Sequence, residues 1–170
     1  MGSTSRTSET KNSNVLVAYF SHSGNTREVA EQVHQRVGGD LFPIVPVDPY
    51  PADYDAVVEK ARQELNEGLR PKLNSKVEDI GRYDTVFVGY PDWWGTIPMP
   101  VATFLAENDL SGKAIVPFCT HEGSGLGRSA DDIRELCPRS TVRDGLAVRG
   151  RNAKKAQSEI TVWLASNDPR

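Results

Sequence analysis

Short apolar runs alternate with stretches of helical periodicity along most of the chain. The apolar runs show no internal alternation of polar and apolar residues, which is typical of strands covered on both faces in a parallel sheet. The pattern predicts five strands, at 14–20, 40–47, 85–90, 114–119 and 142–148. Pro43 and Pro46 predict that the second strand lies at an edge of the sheet, because proline cannot donate a hydrogen bond to a neighbouring strand.

Between the predicted strands, apolar residues recur three or four positions apart, as they do on one face of an amphipathic helix. Helices are predicted after Pro98 and at 26–37, 54–69, 129–136 and 153–165. This alternation predicts an α/β domain built on a doubly wound, open, five-stranded parallel sheet with helices on both faces. Ligands of such sheets bind outside the carboxyl ends of the strands, so the loops after the first, third and fourth strands form the candidate site.

Length and charge limit the domain organisation and the partners. The 170 residues fit one domain, and a formal net charge of -3 is too small to favour a nucleic acid as a partner. Basic residues are frequent between Arg128 and Lys155, but acidic residues are interspersed among them, which favours a solvated surface. We expect a domain at 14–166, preceded by a disordered leader at 1–13 and followed by a tail at 167–170.

The cysteines and the leader bear on the compartment. Only Cys119 and Cys137 are present, without a CxxC spacing, so neither a metal site nor a disulfide framework is expected. Two reduced thiols fit a reducing compartment. The polar leader contains no apolar run that would serve as a signal peptide or a membrane anchor. We therefore expect a cytoplasmic protein with no membrane partner, the alternative being an exported protein whose signal segment has been removed.

The loop after the first strand is almost entirely polar, since it consists of Ser21, His22, Ser23, Gly24, Asn25 and Thr26. Backbone N–H groups and the dipole at the start of the following helix attract an anion, and the hydroxyl groups add donors. This composition indicates a phosphate site. The alternative is that one of these side chains only caps the helix. The sequence GxxxxGK of a P-loop is absent, which disfavours nucleoside triphosphate hydrolysis.

The loop after the third strand contains two of the three tryptophans, in the sequence Pro91, Asp92, Trp93, Trp94, Gly95. The two indole rings offer a flat apolar wall to a planar ligand, and the glycine lets the backbone approach it closely. The alternative is that one or both rings are buried beneath the following helix. A phosphate site nearby favours the ligand interpretation.

The loop after the fourth strand runs from Thr120 to Gly127 and has glycines at alternate positions near its end. Such a loop can present several backbone donors and acceptors to the polar edge of a ring. It does not match the dinucleotide fingerprint GxGxxG, because Arg128 stands at the position of the last glycine. His121 is a candidate contact to the ring, whereas Cys119 is expected to be a packing residue.

Taken together, these loops resemble the flavodoxin-like family, most closely its compact bacterial branch with a tryptophan pair. The resemblance extends from about Val15 to Trp163, and four stretches carry it: 19–26, 50–51 with 70–71, 89–98, and 120–125. It implies a sheet with the strand order 2-1-3-4-5 and FMN bound tightly without a covalent link.

The resemblance also implies roles for individual residues. The FMN phosphate would be held by Ser21, Ser23, Gly24, Asn25 and Thr26. Trp93 and Trp94 would flank the isoalloxazine ring. The pyrimidine side of the ring and the ribityl chain would be contacted by Thr120, His121, Gly123, Ser124 and Gly125. The predicted cofactor-binding set is completed by Pro91, Asp92, Gly95 and Glu122; no catalytic residue is predicted.

Two acidic residues differ from the usual pattern of this family. Asp92 stands where an uncharged residue is commoner, and Glu122 stands where a small residue is commoner. If either carboxylate lies near the ring, we expect it to disfavour a negatively charged reduced flavin, because like charges repel most where water is scarce. The expected consequence is a lower midpoint potential.

The resemblance implies an electron carrier that transfers one or two electrons between redox partners. The first alternative is an FMN-dependent enzyme of the same fold that oxidises NAD(P)H and reduces a quinone or another acceptor. The second is a flavin-free binding module on the same sheet, because a fold alone does not fix a function. The partners expected are redox proteins, or NAD(P)H with a small acceptor, and the chain is expected to be a monomer or a weak dimer.

Overall fold

The computed structural model describes residues 14–167, so the predicted leader at 1–13 lies outside the described residues. Its core is a parallel sheet with the strand order β2-β1-β3-β4-β5, to which β6 adds by pairing with β4. The order 2-1-3-4-5 is therefore confirmed. The strands are β1 (Val15–Tyr19), β2 (Asp40–Pro43), β3 (Thr85–Pro91), β4 (Ala114–His121), β5 (Thr141–Val142) and β6 (Leu146–Arg149).

Residues 14–167 form five α-helices and two short 3-10 helices, of which the last α-helix and the second 3-10 helix follow the final strand. The α-helices are α1 (Asn25–Val37), α2 (Tyr54–Glu67), α3 (Met99–Glu107), α4 (Ser129–Leu136) and α5 (Gln157–Asn167). The 3-10 helices are Ile80–Arg82 and Gly150–Lys155. The last predicted helix thus begins four residues later than expected, because its first part is the second 3-10 helix. Asn167, predicted as tail, is a buried residue of α5.

A separate hydrophobic core covers each face of the sheet. On one face, Val17 and Phe87 pack in a cluster with apolar residues of α1 and α5. On the other face, Val86 and Tyr90 pack in a cluster with residues of α3 and α4. The side chains of β1 are buried without exception, which confirms that its uninterrupted apolar sequence reflects cover on both faces.

The second strand lies at the edge, as its prolines predict, but it is shorter than expected. It pairs only with β1 and ends at Pro43 rather than Val47. Beyond it the chain leaves β1 and forms an antiparallel bridge between Pro46 and Leu73. Val47, which the pattern placed in the strand, is instead 55% exposed and donates its N–H to the Lys72 carbonyl at 2.8 Å.

The predicted fifth strand at 142–148 is in fact two short strands, β5 and β6. Ile115 pairs with Val142 and Phe118 pairs with Leu146, so the edge contains one residue more than β4 over this stretch. The carbonyl of Ile115 accepts from the N–H of Arg143 at 2.8 Å. Pro117, two residues later, faces the same edge but has no N–H to donate. The ladder is interrupted there, and the extra residue forms a bulge.

None of the helices within residues 14–167 combines the length and the apolar character needed to cross a bilayer. No three His, Cys, Asp or Glu side chains between residues 14 and 167 lie together as metal ligands would.

Candidate functional site

Three loops at the carboxyl edge of the sheet form the candidate site: loop 1 (residues 20–24), loop 2 (residues 92–98) and loop 3 (residues 122–128). Thr120, near the end of β4, joins them. Its hydroxyl lies 2.7 Å from the hydroxyl of Thr26, in the first turn of α1. Its carbonyl accepts from the N–H of Asp92 at 2.8 Å. All the residues predicted to bind the cofactor lie in these loops or at the strand and helix ends beside them.

Loop 1 turns the chain from β1 into α1 at Gly24, which adopts a φ of 104° and carries no side chain that could cap the helix. Ser21 performs part of that function instead, because its hydroxyl oxygen accepts from the N–H groups of Gly24 and Arg27, both at 3.2 Å. The Ser21 hydroxyl hydrogen remains available as a donor to a ligand. Thr26 is turned inward to Thr120, so it does not cap the helix.

Two further polar residues of this segment contact the chain nearby. The Ser23 hydroxyl oxygen is 3.5 Å from the N–H of Asn25, a long contact. His22 donates from Nε2 to the carbonyl of Pro51 at 2.9 Å, which ties loop 1 to the segment before α2. Helix capping therefore involves Ser21 and, through a long contact, Ser23, whereas the side chain of His22 has no capping role.

Loop 2 contains a two-residue hairpin turn. Trp93 and Thr96 exchange backbone hydrogen bonds of 3.1 and 3.2 Å, and the two residues between them, Trp94 and Gly95, have φ values of 57° and 80°. Positive φ at both central positions defines a type I′ turn. Trp94 is one of two described non-glycine residues with positive φ, so its backbone is held in a conformation of higher energy.

The two tryptophans have different surroundings. The ring of Trp93 packs edge-on against Phe20 and Tyr50, with centroid distances of 5.3 and 5.0 Å. The ring of Trp94 is 49% exposed, and its Nε1 donates to the carbonyl of Val58 in α2 at 3.0 Å. Neither ring is buried beneath α3, the helix that follows the loop. Trp93 is a packing centre between loops, whereas Trp94 is an exposed ring fixed at one end.

Gly127 holds the turn of loop 2 and was not among the predicted site residues. The carbonyl of Gly95 accepts from the N–H of Arg128 at 2.8 Å. Gly127 has a φ of 57°, and a Cβ at this position would lie only 2.3 Å from the Gly95 oxygen. The close approach of loop 3 to loop 2 therefore requires glycine here. The alternate glycines of loop 3 were the available sequence signal.

Asp92 and Ser124 join loop 2 to loop 3 through a hydrogen bond from the Ser124 hydroxyl to Oδ2 of Asp92. The other carboxylate oxygen of Asp92, Oδ1, is buried and has no hydrogen-bond partner among the described residues. A buried acceptor without a partner is costly. This oxygen is therefore a candidate acceptor for a donor group of a bound ligand.

His121 is held by its own loop. Its Nδ1 accepts from the N–H of Gly123 at 2.9 Å, so the neutral ring carries its proton on Nε2. The imidazole is half-buried at the end of β4. The contact fixes the direction in which Nε2–H points and leaves it as the donor available to a ligand.

Buried groups support loop 3 from below. The Tyr90 hydroxyl donates to Ser129 at 2.8 Å, and Ser129 donates to the carbonyl of Leu126 at 2.6 Å. Cys119 is fully buried with its sulfur 3.5 Å from the carbonyl of Gly125, and burial raises the pKa of its thiol to about 12. The thiol is thus neutral near pH 7, which fits the packing role expected for it.

A fourth segment reaches the site, and the sequence pattern did not assign it to the site. Gly150, the residue after β6, lies against both loop 1 and loop 3. A Cβ on Gly150 would lie 2.7 Å from Nδ2 of Asn25 and 2.4 Å from Oε2 of Glu122. Its neighbour Arg149 places Nη1 3.5 Å from the Glu122 carbonyl. A position after the last strand has no local signal for such contacts.

Known proteins share this fold, and some of them are also similar in sequence. The family model for flavodoxin matches residues 14–167. The chain has 39% identity to a protein assigned as a flavoprotein from Bacteroides eggerthii DSM 20697, with 90% of this chain and 96% of that chain covered and a TM-score of 0.79. A protein assigned as a flavoprotein from Bacteroides uniformis ATCC 8492 has 29% identity to the chain. The match covers 87% of this chain and 97% of that chain, with a TM-score of 0.78.

A more distant structure shares the fold alone. It is a flavoprotein in complex with FMN from Lactobacillus acidophilus NCFM, with 22% identity, 86% of this chain and 99% of that chain covered, and a TM-score of 0.69. No curated protein sequence matches the chain significantly. The match to the family model spans nearly the whole chain, and together with the 39% identity it shows that this chain belongs to the flavodoxin family.

Proposed function

We propose that the chain binds FMN without a covalent link and carries one or two electrons between redox partners. The observation that carries this proposal is the junction at Thr120, which brings the polar turn before α1, the tryptophan turn and the glycine-rich loop to one edge of the sheet. Membership of the flavodoxin family and the FMN complex of the protein from Lactobacillus acidophilus support it.

The phosphate end of FMN fits loop 1. The positive end of the dipole of α1, a helix of 13 residues, points into this loop. A Cβ placed on Gly24 would meet no atom within 4 Å, so space is open at the turn. The hydroxyl hydrogen of Ser21 is available as a donor. A phosphate placed here would thus find a positive dipole, room and a hydroxyl donor.

The ring end of FMN fits loops 2 and 3. Open space lies at Gly95 and Gly125, where an added Cβ would also meet no atom within 4 Å. The indole of Trp94 is half exposed beside this space, and its bond to α2 keeps the ring in place. The unpartnered Oδ1 of Asp92 would accept a hydrogen bond from an N–H or O–H group of the ligand.

FMN, when bound, supplies the electron-accepting ring, and the protein supplies binding, orientation and electrostatics. Loop 1 would hold the phosphate and thereby fix the position of the rest of the molecule. The hairpin turn at Trp94 and Gly95 would exclude water from one side of the ring. The carboxylate of Asp92 would set the charge near it.

The proposal includes a cytoplasmic location and an assembly no larger than a weak dimer. Cys119 and Cys137 are both free thiols and both buried, which supports a reducing compartment. The partner is proposed to be a redox protein, with NAD(P)H and a small acceptor as the alternative.

One experiment tests cofactor and class of activity together. Purified protein is mixed with FMN, freed of excess flavin, and examined by absorption before anaerobic addition of NADH or NADPH. Retained flavin bands that neither nucleotide bleaches are the expected result. Bleaching by a nucleotide, with recovery on addition of a quinone, would replace the carrier by the oxidoreductase. A colourless protein would overturn FMN binding itself.

A further inference from the structure

Four cations lie close together beside the candidate site, within a segment of seven residues that contains no acidic residue. All four side chains are exposed, and none forms an ion pair with another described residue. They are Arg149, Arg151, Lys154 and Lys155. We call them the basic rim. By contrast, Arg128 and Arg134, in the same basic stretch of sequence, are paired with Asp132 and Asp131. The interpretation of this stretch as a solvated surface of balanced charge therefore holds for α4 but not for the basic rim.

The 3-10 helix Gly150–Lys155 gives the basic rim its shape. Residues three apart share one side of such a helix, at a spacing of about 6 Å. The side formed by Gly150, Ala153 and Ala156 is buried, and the carbonyl of Ala153 accepts from Nε2 of Gln32 in α1 at 2.6 Å. Arg151 and Lys154, also three apart, consequently project together into solvent. The small residues of the 3-10 helix pack against α1, and its cationic side chains point into solvent.

The basic rim borders the place proposed for FMN. Gly150 lies against Asn25 of loop 1 and Glu122 of loop 3, as the close approaches to its Cβ position show. Arg149 lies within 3.7 Å of the Cβ position of Gly123. Two carboxylates lie near this segment: that of Glu122 lies against Gly150, and that of Glu28 accepts at 3.4 Å from the same Gln32 amide that donates to Ala153. The four cations of the basic rim outnumber them. A molecule that approaches the site from this side meets a positive surface first.

The other side of the site has the opposite charge. The segment at 48–67, which contains α2, holds six acidic and two basic residues. It borders the site through the hydrogen bond from Trp94 to Val58. The 3-10 helix packs against α1 on one face of the sheet, whereas α2 lies on the other face. The two charged surfaces therefore flank the site. Such a distribution orients a partner that carries a local charge.

We propose that the basic rim is the docking surface for a redox partner protein with an acidic face. The proposal rests on the proposed electron-carrier function and names the partner by its chemistry. Four like charges crowded on one small surface repel one another, and an acidic protein face relieves that repulsion. An extended polyanion fits less well, because the acidic segment at 48–67 would repel it.

The test uses a plant-type [2Fe–2S] ferredoxin with an acidic surface as the probe. In stopped-flow experiments, one electron passes from the reduced iron–sulfur centre to the oxidised FMN protein, so the cluster is oxidised and the flavin reduced by one electron. The variant is Arg151→Glu with Lys154→Glu. We expect its bimolecular rate to be about tenfold lower at low ionic strength, within the range of electrostatic steering. The difference should shrink between about 0.01 and 0.1 M salt, as the Debye length falls from about 30 to about 10 Å.

The matched control reverses two exposed cations far from the carboxyl edge, Lys76→Glu with Arg139→Glu. It changes the net charge equally and should leave the rate within about twofold of the parent. Equal slowing by both variants, or no slowing by the first, overturns the proposal. Retained FMN is measured separately by its absorption, so loss of flavin is not mistaken for loss of docking.

A second measurement does not depend on flavin. Amide shifts of the isotope-labelled protein are followed while the oxidised ferredoxin is added at low salt. Shifts centred on Gly150–Lys155 would support docking at the basic rim even if FMN binding failed. Shifts centred elsewhere, or none at all, would overturn it while leaving the proposed electron-carrier function intact.

Discussion

The hydroxyl groups of Thr26 and Thr120 form a buried hydrogen bond of 2.7 Å between the first turn of α1 and the end of β4. The side chains are 1% and 4% exposed, so water cannot replace either partner. This bond links the loop proposed to hold the phosphate to the strand from which loop 3 departs. This pair of hydroxyls thus helps to fix the relative position of the two halves of the site, together with the contacts of Gly150.

We expect Thr26→Val and Thr120→Val each to lower the free energy of unfolding by about 1–3 kcal/mol, because each leaves one buried hydroxyl without a partner. The double variant should lose less than the sum of the two, since no unpaired hydroxyl remains. Urea unfolding of all four proteins measures this cycle. Strict additivity would contradict the importance of the bond.

Gly127→Ala should be more destabilising than Gly112→Ala, and the two form a matched pair. Both glycines have positive φ, 57° and 77°, so alanine is strained at either position. They differ in space: a Cβ at 127 would lie 2.3 Å from the Gly95 oxygen, whereas a Cβ at 112 meets nothing within 4 Å. We expect an additional loss of about 1–3 kcal/mol at 127, measured by chemical unfolding. Equal losses in the free energy of unfolding would show that the turn at Gly95 can move to accommodate the added methyl group.

Asp92→Asn should raise the midpoint potential of bound FMN. The change removes a negative charge at the junction of loops 2 and 3, where reduction adds negative charge to the ring. An interaction of about 1 kcal/mol corresponds to roughly 40 mV for one electron. Redox titration with reference dyes measures the shift. Glu107→Gln, an exposed change at the end of α3, serves as the control and should leave the potential unchanged.

Glu122→Gln tests the second acidic residue in the same titration. Its carboxylate lies beside Gly150 and is more exposed than that of Asp92, so we expect a smaller rise. A larger rise in midpoint potential for Glu122→Gln than for Asp92→Asn would mean that the carboxylate of loop 3 has the greater effect on the flavin.

Stability should depend on pH through Glu64, which accepts a hydrogen bond from the Tyr50 hydroxyl. Burial raises the pKa of Glu64 above its ordinary value of 4.5, with the Tyr50 bond opposing the change. Above about pH 4.5 the unfolded carboxyl ionises while the folded one keeps its proton. The free energy of unfolding therefore falls as pH rises through this window, until the folded group ionises as well.

Replacement of this carboxyl isolates its contribution. Glu64→Gln should flatten the fall in stability above pH 4.5, whereas Glu67→Gln, an exposed change in the same helix, should leave it as it is. The measurement is urea unfolding at a series of pH values. An unchanged slope in Glu64→Gln would mean that burial does not perturb this group.

The sequence predicted those features that depend on local pattern. The buried strands were recognisable because residues such as Val15–Tyr19 are apolar without interruption, and the helices because their apolar residues recur at helical spacing. The three loops were recognisable because polar residues, glycines and tryptophans stand directly after strands. Resemblance to a family then connected these loops to FMN.

The missed features depend on residues far apart in the chain. Gly127 is required by the Gly95 oxygen, and Gly150 by Asn25 and Glu122, so neither requirement is visible from neighbouring residues. The positive φ of Trp94 follows from the pairing of Trp93 with Thr96. The basic rim was hidden because counting charges between Arg128 and Lys155 could not show which of them are paired.

The bulge between β5 and β6 fixes which side of the sheet each later residue occupies. Val142 and Val148 are six residues apart and would share a face in a regular strand, yet they pack in different cores. Removal of one residue from 143–145 would remove the bulge and leave Val142 and Val148 five residues apart, so a regular strand would keep Val148 in its own core. Removal of two would turn Leu146–Arg149 over. A design that straightens this edge without shortening it must therefore exchange apolar and polar positions from Leu146 onward, whereas a design that deletes one residue can keep them.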